Sequence, residues 1–176
     1  ATTSNYSDDS TLIIQPNIIV YTLSNNQIIE KYTRESNSIF DIKKSYKYTN
    51  SKLSEIITSY PNYPYNPKDP NDFVITISEK FEYDNNGNLT KSIIVGKHND
   101  VIYGGRKETI FGNYDNAKNP FKKLFLIEEY FYKSLSKNNY KNTIVRSYDE
   151  NNNITSFSEN SWDFSYDSSG NIILAK

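Results

Sequence analysis

The chain carries one histidine, His98, in the stretch GKHNDVIYGG, with Asp100 two residues on. On a strand these side chains face the same way, and an acid beside a histidine is the pairing a general base needs. No activated serine motif accompanies them, and cysteine is absent from the sequence, so an acyl-transfer nucleophile is missing. A loop histidine close to Gly96 reads more simply as a solvated side chain, and no catalytic residue is assigned. The acidic stretches offer little to a metal. DNNGN, residues 84 to 88, has the look of a calcium loop. Such a loop places oxygen ligands at alternating positions before its glycine and a glutamate after it, and that spacing fails here. Asp69 and Asp72 in KDPND are the pair best placed for a weak calcium site, and no metal or cofactor is expected. Glu128 and Glu129 are adjacent and diverge on a strand, which argues against a paired-carboxylate glycosidase built from them. YGGRKE, residues 103 to 108, lacks phosphate-loop spacing, so Gly104 and Gly105 read as a tight hairpin turn.

Aromatic residues are the stronger candidates. YPNYPYNPKDPND, residues 60 to 72, has Pro61, Pro64, Pro67 and Pro70 at every third position. That spacing favours an extended left-handed strap with no sheet pairing. Tyr60, Tyr63, Tyr65 and Phe73 flank it, and Trp162, the single tryptophan, sits in ENSWDFSYD. Exposed aromatics on a β scaffold stack on sugar rings or receive an apolar ligand; otherwise they fill a concave face. These five are the candidate ligand-binding residues.

The elements that must carry them are strands. The sequence has 176 residues, enough for one ordinary domain. Its hydrophobic fraction is a lean 36%, and tyrosine supplies 16 residues, so rings with wet edges must do much of the packing. Lys plus Arg number 20 against 21 Asp plus Glu, which gives no broad pull toward nucleic acid. No apolar run reaches the ~18 residues of a transmembrane helix. Abundant Asn, Ile, Lys and Tyr match the codon bias of an AT-rich genome, with part of the Asn working in turns.

Residues 1 to 10 are polar and read as a flexible tail, and residues 11 to 176 as a single β domain. The first secure strand is expected near Asn17, after Pro16. QIIEKYTRE follows SNN as a hairpin would, and Phe40, Ile42, Tyr46 and Tyr48 keep a period near two. A turn phrase then recurs: Tyr83-Asp84-Asn85-Asn86-Gly87-Asn88, Tyr148-Asp149-Glu150-Asn151-Asn152-Asn153 and Tyr166-Asp167-Ser168-Ser169-Gly170-Asn171. Asp84, Asp149 and Asp167 are suited to open the turn by accepting an N–H two residues on. Gly87, Asn152 and Gly170 stand where a left-handed residue closes a bulged hairpin. Tyr114-Asp115 begins the phrase, but NAKNPF follows and no short return is written. Weaker echoes start at Tyr21 and Tyr48. Asn119 and Pro120 are suited to start a helix, so one short helix is expected near 120–127.

YDNNGNLTK and YDSSGNIIL resemble the tyrosine–aspartate (YD) repeats of large bacterial surface proteins. A closer likeness is to uncharacterised envelope lipoproteins of flavobacteria and their relatives. In these, such hairpins occur with a YDxKxNPF segment and a later SxNN segment, here Tyr114 to Phe121 and Ser136 to Asn139. The likeness covers roughly residues 80 to 176, and the N-terminal half only by rhythm. The resemblance implies an antiparallel meander curling into an open, porin-like barrel, in an outer-membrane lipoprotein or a secreted protein. It carries over no functional residue. The opening ATTSNYSDDS reads as a trimmed mature end that would follow a removed signal peptide or lipid-anchor cysteine.

The expectation is an all-β antiparallel meander forming a strongly curved sheet or incomplete barrel. Its function is expected to be non-enzymatic, an extracytoplasmic binding or interaction domain for a glycan, a lipid or an envelope protein. The alternatives are a hydrolase with acidic residues assembled from several strands, and a purely structural repeat module.

Overall fold

The computed structural model describes residues 2–6, 12–16, 18–34, 41–61, 73–98 and 101–173. Nine strands form one sheet: β3 (Ile18–Ser24), β4 (Gln27–Arg34), β5 (Asp41–Thr49), β6 (Lys52–Pro61), β7 (Phe73–Tyr83), β8 (Leu89–His98), β9 (Val101–Gly112), β10 (Asn142–Tyr148) and β11 (Ile154–Ser161). Each lies beside its neighbour in sequence, so the sheet is a meander that, among the described residues, is not closed into a barrel, with β3 and β11 as its edges. Two short ribbons stand apart from it: β1 (Thr2–Tyr6) with β2 (Leu12–Pro16), and β12 (Ser165–Tyr166) with β13 (Ile172–Ile173).

The corners explain the meander. Asn25 and Asn26 have φ of 49° and 60°, and Asn50 and Ser51 of 51° and 62°. Paired left-handed residues make the two-residue turn whose twist matches antiparallel strands, and asparagine tolerates that backbone best among residues with a Cβ. These are the weaker echoes after Tyr21 and Tyr48, and they are a different turn from the Tyr-Asp phrase. The Gly104–Gly105 pair makes no turn at all: β9 runs through it from Val101 to Gly112. A Cβ at Gly105 would lie 1.5 Å from the Tyr148 carbonyl oxygen, so glycine there permits the close approach of β10.

One short helical segment follows β9. It begins one residue past the expected span, as a 3-10 turn at Glu128–Tyr130 leading into α1 (Phe131–Leu135). Residues 120 to 127 form turns, which Asn119 organises by accepting the Phe121 N–H at 2.8 Å.

The chain divides into two compact units. The first comprises Ala1–Lys47, Glu55–Ser78 and Gly96–Tyr103, and the second Tyr48–Ser54, Glu79–Val95 and Gly104–Lys176. In the first unit, Ile56 is buried, while Ile18, Ile19, Val20 and Leu23 stand exposed on β3. Consecutive strand residues point to opposite faces, so β3 is bare on both. The second unit holds Leu53, Phe81, Leu89, Phe111, Phe121 and Tyr140 buried. A chain of ring contacts runs through it: Phe81–Phe131 (5.9 Å), Phe131–Tyr132 (5.3 Å), Tyr132–Phe111 (5.4 Å), Phe111–Tyr140 (4.9 Å) and Tyr140–Trp162 (5.6 Å). Such pairs contribute beyond their buried area. Tyr140 reports the burial: loss of solvent pushes its hydroxyl up to about 12.

Candidate ligand-binding cleft at Trp162

The cleft lies in the second unit, beside one of that unit's Tyr-Asp corners. At the Asp84 corner, the Asp84 N–H donates to the Asn88 carbonyl (2.9 Å). In return the Asn88 N–H and side-chain amide donate to the two carboxylate oxygens (2.8 and 3.1 Å). Asp149 with Asn153 and Asp167 with Asn171 repeat this clamp. Gly87, Asn152 and Gly170 have φ of 90°, 66° and 76°. The asparagine after the left-handed residue is thus half of each clamp.

A fourth clamp joins residues far apart in sequence. The Asp115 N–H donates to the Asn139 carbonyl (3.0 Å), and Asn139 returns its own N–H (3.1 Å) and side-chain amide (3.1 Å) to the Asp115 carboxylate. The Ala117 N–H donates to Asp115 at 3.2 Å, as Ser169 does to Asp167 at 2.9 Å. Residues 116 to 138 are therefore an insertion inside a Tyr-Asp corner. Its two ends are also stitched to each other, by the Asn119 amide on the Lys133 and Ser136 carbonyls (2.7 and 2.8 Å). The segments Tyr114 to Phe121 and Ser136 to Asn139 are the two sides of this joint.

The tyrosine before each aspartate braces its corner. Tyr83 donates to the Leu53 carbonyl (2.9 Å), Tyr148 to Glu108 (3.0 Å) and Tyr166 to Asp115 (2.8 Å), while Tyr114 donates to the Leu89 carbonyl. Burial pushes the hydroxyls of Tyr83 and Tyr114 well above the usual tyrosine range. Asp84, Asp149 and Asp167 shift the other way. At Asp84, desolvation pushes the carboxyl up, but the N–H groups of Asn88 and its neighbours outweigh it and hold it below the usual range. Side-chain and backbone donors of Asn153 and Asn171 lower Asp149 and Asp167. These three shifted carboxylates are therefore turn clamps.

Beside the fourth clamp lies a cleft of about 460 Å³ lined by Asn113, Tyr114, Lys141, Ser161, Trp162 and Asp163. The Trp162 N–H donates to the Lys141 carbonyl (3.0 Å), and the Lys141 ammonium lies 3.2 Å from the Asp163 carboxylate. Trp162 is half-buried, with its ring edge-on to the buried Tyr140. The cleft thus offers part of an indole, an amide, a hydroxyl and a charge of each sign. The Lys141–Asp163 pair adds little stability, because Asp163 is 91% exposed, and both groups keep hydrogen-bonding capacity.

Of the five candidate residues, Trp162 is the one that lines this cleft. Tyr60 is half-buried near the end of β6 in the first unit, and Phe73 begins β7. Tyr63, Tyr65, Asp69, Asp72 and Asp100 lie outside the described residues, as does most of the 60–72 strap. His98 ends β8, exposed. Among the described residues no three His, Asp or Glu side chains gather as a metal ion would need, and no helix is long and apolar enough to cross a membrane. Sequence reasoning passed over Asn113, Lys141, Ser161 and Asp163; they come from three segments joined by pairing. The one local signal was the second half of a clamp, Asn139-Tyr140-Lys141, written without its aspartate nearby.

No protein-family model matches the chain, and no curated protein matches it. Among solved structures it is similar to a porin-like protein from Bacteroides vulgatus, with a TM-score of 0.53 and 13% sequence identity over 96% of this chain and 82% of that one. At that identity the likeness concerns the fold alone, an all-β antiparallel sheet.

Proposed function

We propose that this chain is a non-enzymatic, extracytoplasmic binding domain whose Trp162 cleft receives a glycan unit. The observation that carries the reading is the half-buried indole on the wall of a cleft of about 460 Å³, ringed by the polar groups of Asn113, Lys141, Ser161 and Asp163. A sugar ring has an apolar C–H face for the indole and hydroxyls for amide, ammonium and carboxylate partners. A lipid chain would leave those polar groups unpaired, at a cost of about 1–3 kcal/mol each. The fold likeness to a porin-like protein favours an envelope setting.

Trp162 is the single tryptophan, so its fluorescence reports on the cleft directly. Titration with neutral and acidic oligosaccharides is expected to change the emission saturably for at least one glycan class. Trp162→Ala is expected to weaken binding, followed by calorimetry, by at least about tenfold, or ~1.4 kcal/mol. Emission indifferent to every glycan, with no heat of binding, would remove the reading.

A further inference from the structure

The insertion carries a second concavity, of about 820 Å³, that shares no lining residue with the Trp162 cleft. Lys118, Lys122, Lys123 and Lys137 line it, with the side-chain amide of Asn116 among its polar groups. Among the described residues that line it, none is acidic. The chain as a whole carries 20 basic and 21 acidic residues, so this concavity concentrates one sign of charge that the rest of the protein balances.

Among the described residues, Lys43, Lys47, Lys91 and Lys141 each pair with a carboxylate, whereas none of the four lysines of the concavity does. The corner carboxylates Asp115 and Asp167 are already engaged. Asp115 accepts from Asn139, Ala117 and Tyr166, and Asp167 accepts from Asn171 and Ser169. Four ammonium groups around one space repel one another, and a low-dielectric wall strengthens that field. The walls are fixed as well. The Asp115–Asn139 clamp, the Asn119 amide bonds and the Lys137 N–H on the Gly87 carbonyl (3.1 Å) hold the insertion in place. A preorganised basic concavity binds anions with less ordering cost than a loose loop would.

We propose that this concavity is a binding site for a ligand bearing several phosphate or sulfate groups. Lysine meets such groups as a point charge with three donors, and the Asn116 amide adds neutral donors. Several lysines on different sides favour a multiply charged ligand over a single small anion. The site goes beyond the glycan reading and does not depend on it.

The test is isothermal calorimetry of the full chain with sodium tripolyphosphate, beside vesicle co-sedimentation with and without phosphatidylglycerol. A variant with Lys118, Lys122, Lys123 and Lys137 all changed to Gln is the comparison, and circular dichroism checks its fold. Wild type is expected to bind tripolyphosphate, with affinity falling as salt rises. The quadruple variant should lose about tenfold or more, while Trp162→Ala leaves this binding unchanged. Binding to anionic vesicles that the quadruple variant loses would assign the phosphate source to a lipid headgroup; tripolyphosphate binding without it would assign a soluble phosphate ester. Neither binding, or binding equal in wild type and the quadruple variant, would overturn the proposal.

Discussion

The Asp84, Asp149 and Asp167 corners close at once, each bonding an asparagine four residues on, whereas the Asp115 corner closes only at Asn139. The hydrogen bonds are the same in kind and nearly in length. The clamp is thus indifferent to what is strung between its halves, provided the halves meet. Loop closure becomes costlier only slowly with length. A long insertion is therefore compatible with a corner whose native bonds are strong and local. Here the insertion supplies Phe121, Phe131 and Tyr132 to the aromatic interior and frames the lysine concavity. The short corners build the sheet; the long one carries material for a core and a site.

The comparison breaks most severely if the long corner is made short. Replacing residues 116 to 138 with Asn-Asn-Gly should still let Asp115 reach Asn139, yet it strips the rings that pack on Phe81 and Phe111. Losing even one buried aromatic costs about 3–5 kcal/mol, so chemical denaturation is expected to show the second unit unfolded or close to it. A spliced chain as stable as the wild type would mean that the insertion is not part of the core.

Asp115→Ala is next. It removes the acceptor of the Asn139, Ala117 and Tyr166 bonds and leaves the buried Asn139 amide only its long bond to the Ala117 carbonyl, at 3.4 Å. A loss of about 2–4 kcal/mol is expected in urea denaturation. Asp167→Ala, at an exposed corner, should cost clearly less. Equal losses would show that the long corner needs its clamp no more than a short one does.

Gly87→Ala and Gly170→Ala probe the left-handed positions, at φ of 90° and 76°. Each should cost about 1–2 kcal/mol in thermal unfolding. The two should agree, because the added methyl group meets the flexible end of Lys52 at 3.4 Å in one case and open space in the other.

The smallest effect is titration of the corners. Asp84, Asp149 and Asp167 have folded-state values below the ordinary aspartate range. Their contribution is present above the unfolded value, about 4, and is lost as pH falls through the lower folded values. Melting temperature should therefore decline below about pH 4, and the Asp84→Asn, Asp149→Asn and Asp167→Asn variants should flatten that decline. A slope unchanged by all three would separate acid sensitivity from the corners.

The meander was legible in sequence because its corners are local events. An aspartate, a left-handed glycine or asparagine and a closing asparagine fix their bonds within five residues, and asparagine pairs such as Asn25-Asn26 do so within two. Gly104-Gly105 shows the limit of that logic. The pair has turn-like chemistry, yet β9 passes through it because β10 needs the room. Of the cleft, Trp162 stood out in the sequence as the single tryptophan. Its companions did not, since Asn113, Lys141 and Ser161 have ordinary surroundings in the chain.

By itself, then, the sequence determined the short reversals at Asp84, Asp149 and Asp167 and the residues that hold them, since those bonds form between near neighbours whatever the remainder does. Only the tertiary structure decided that Asp115 pairs with Asn139, that ring stacking reaches from Phe81 to Trp162, and that four lysines share one concavity. Those outcomes depend on strand pairing and packing between distant segments, where many residues are chemically able to meet and geometry selects which of them do.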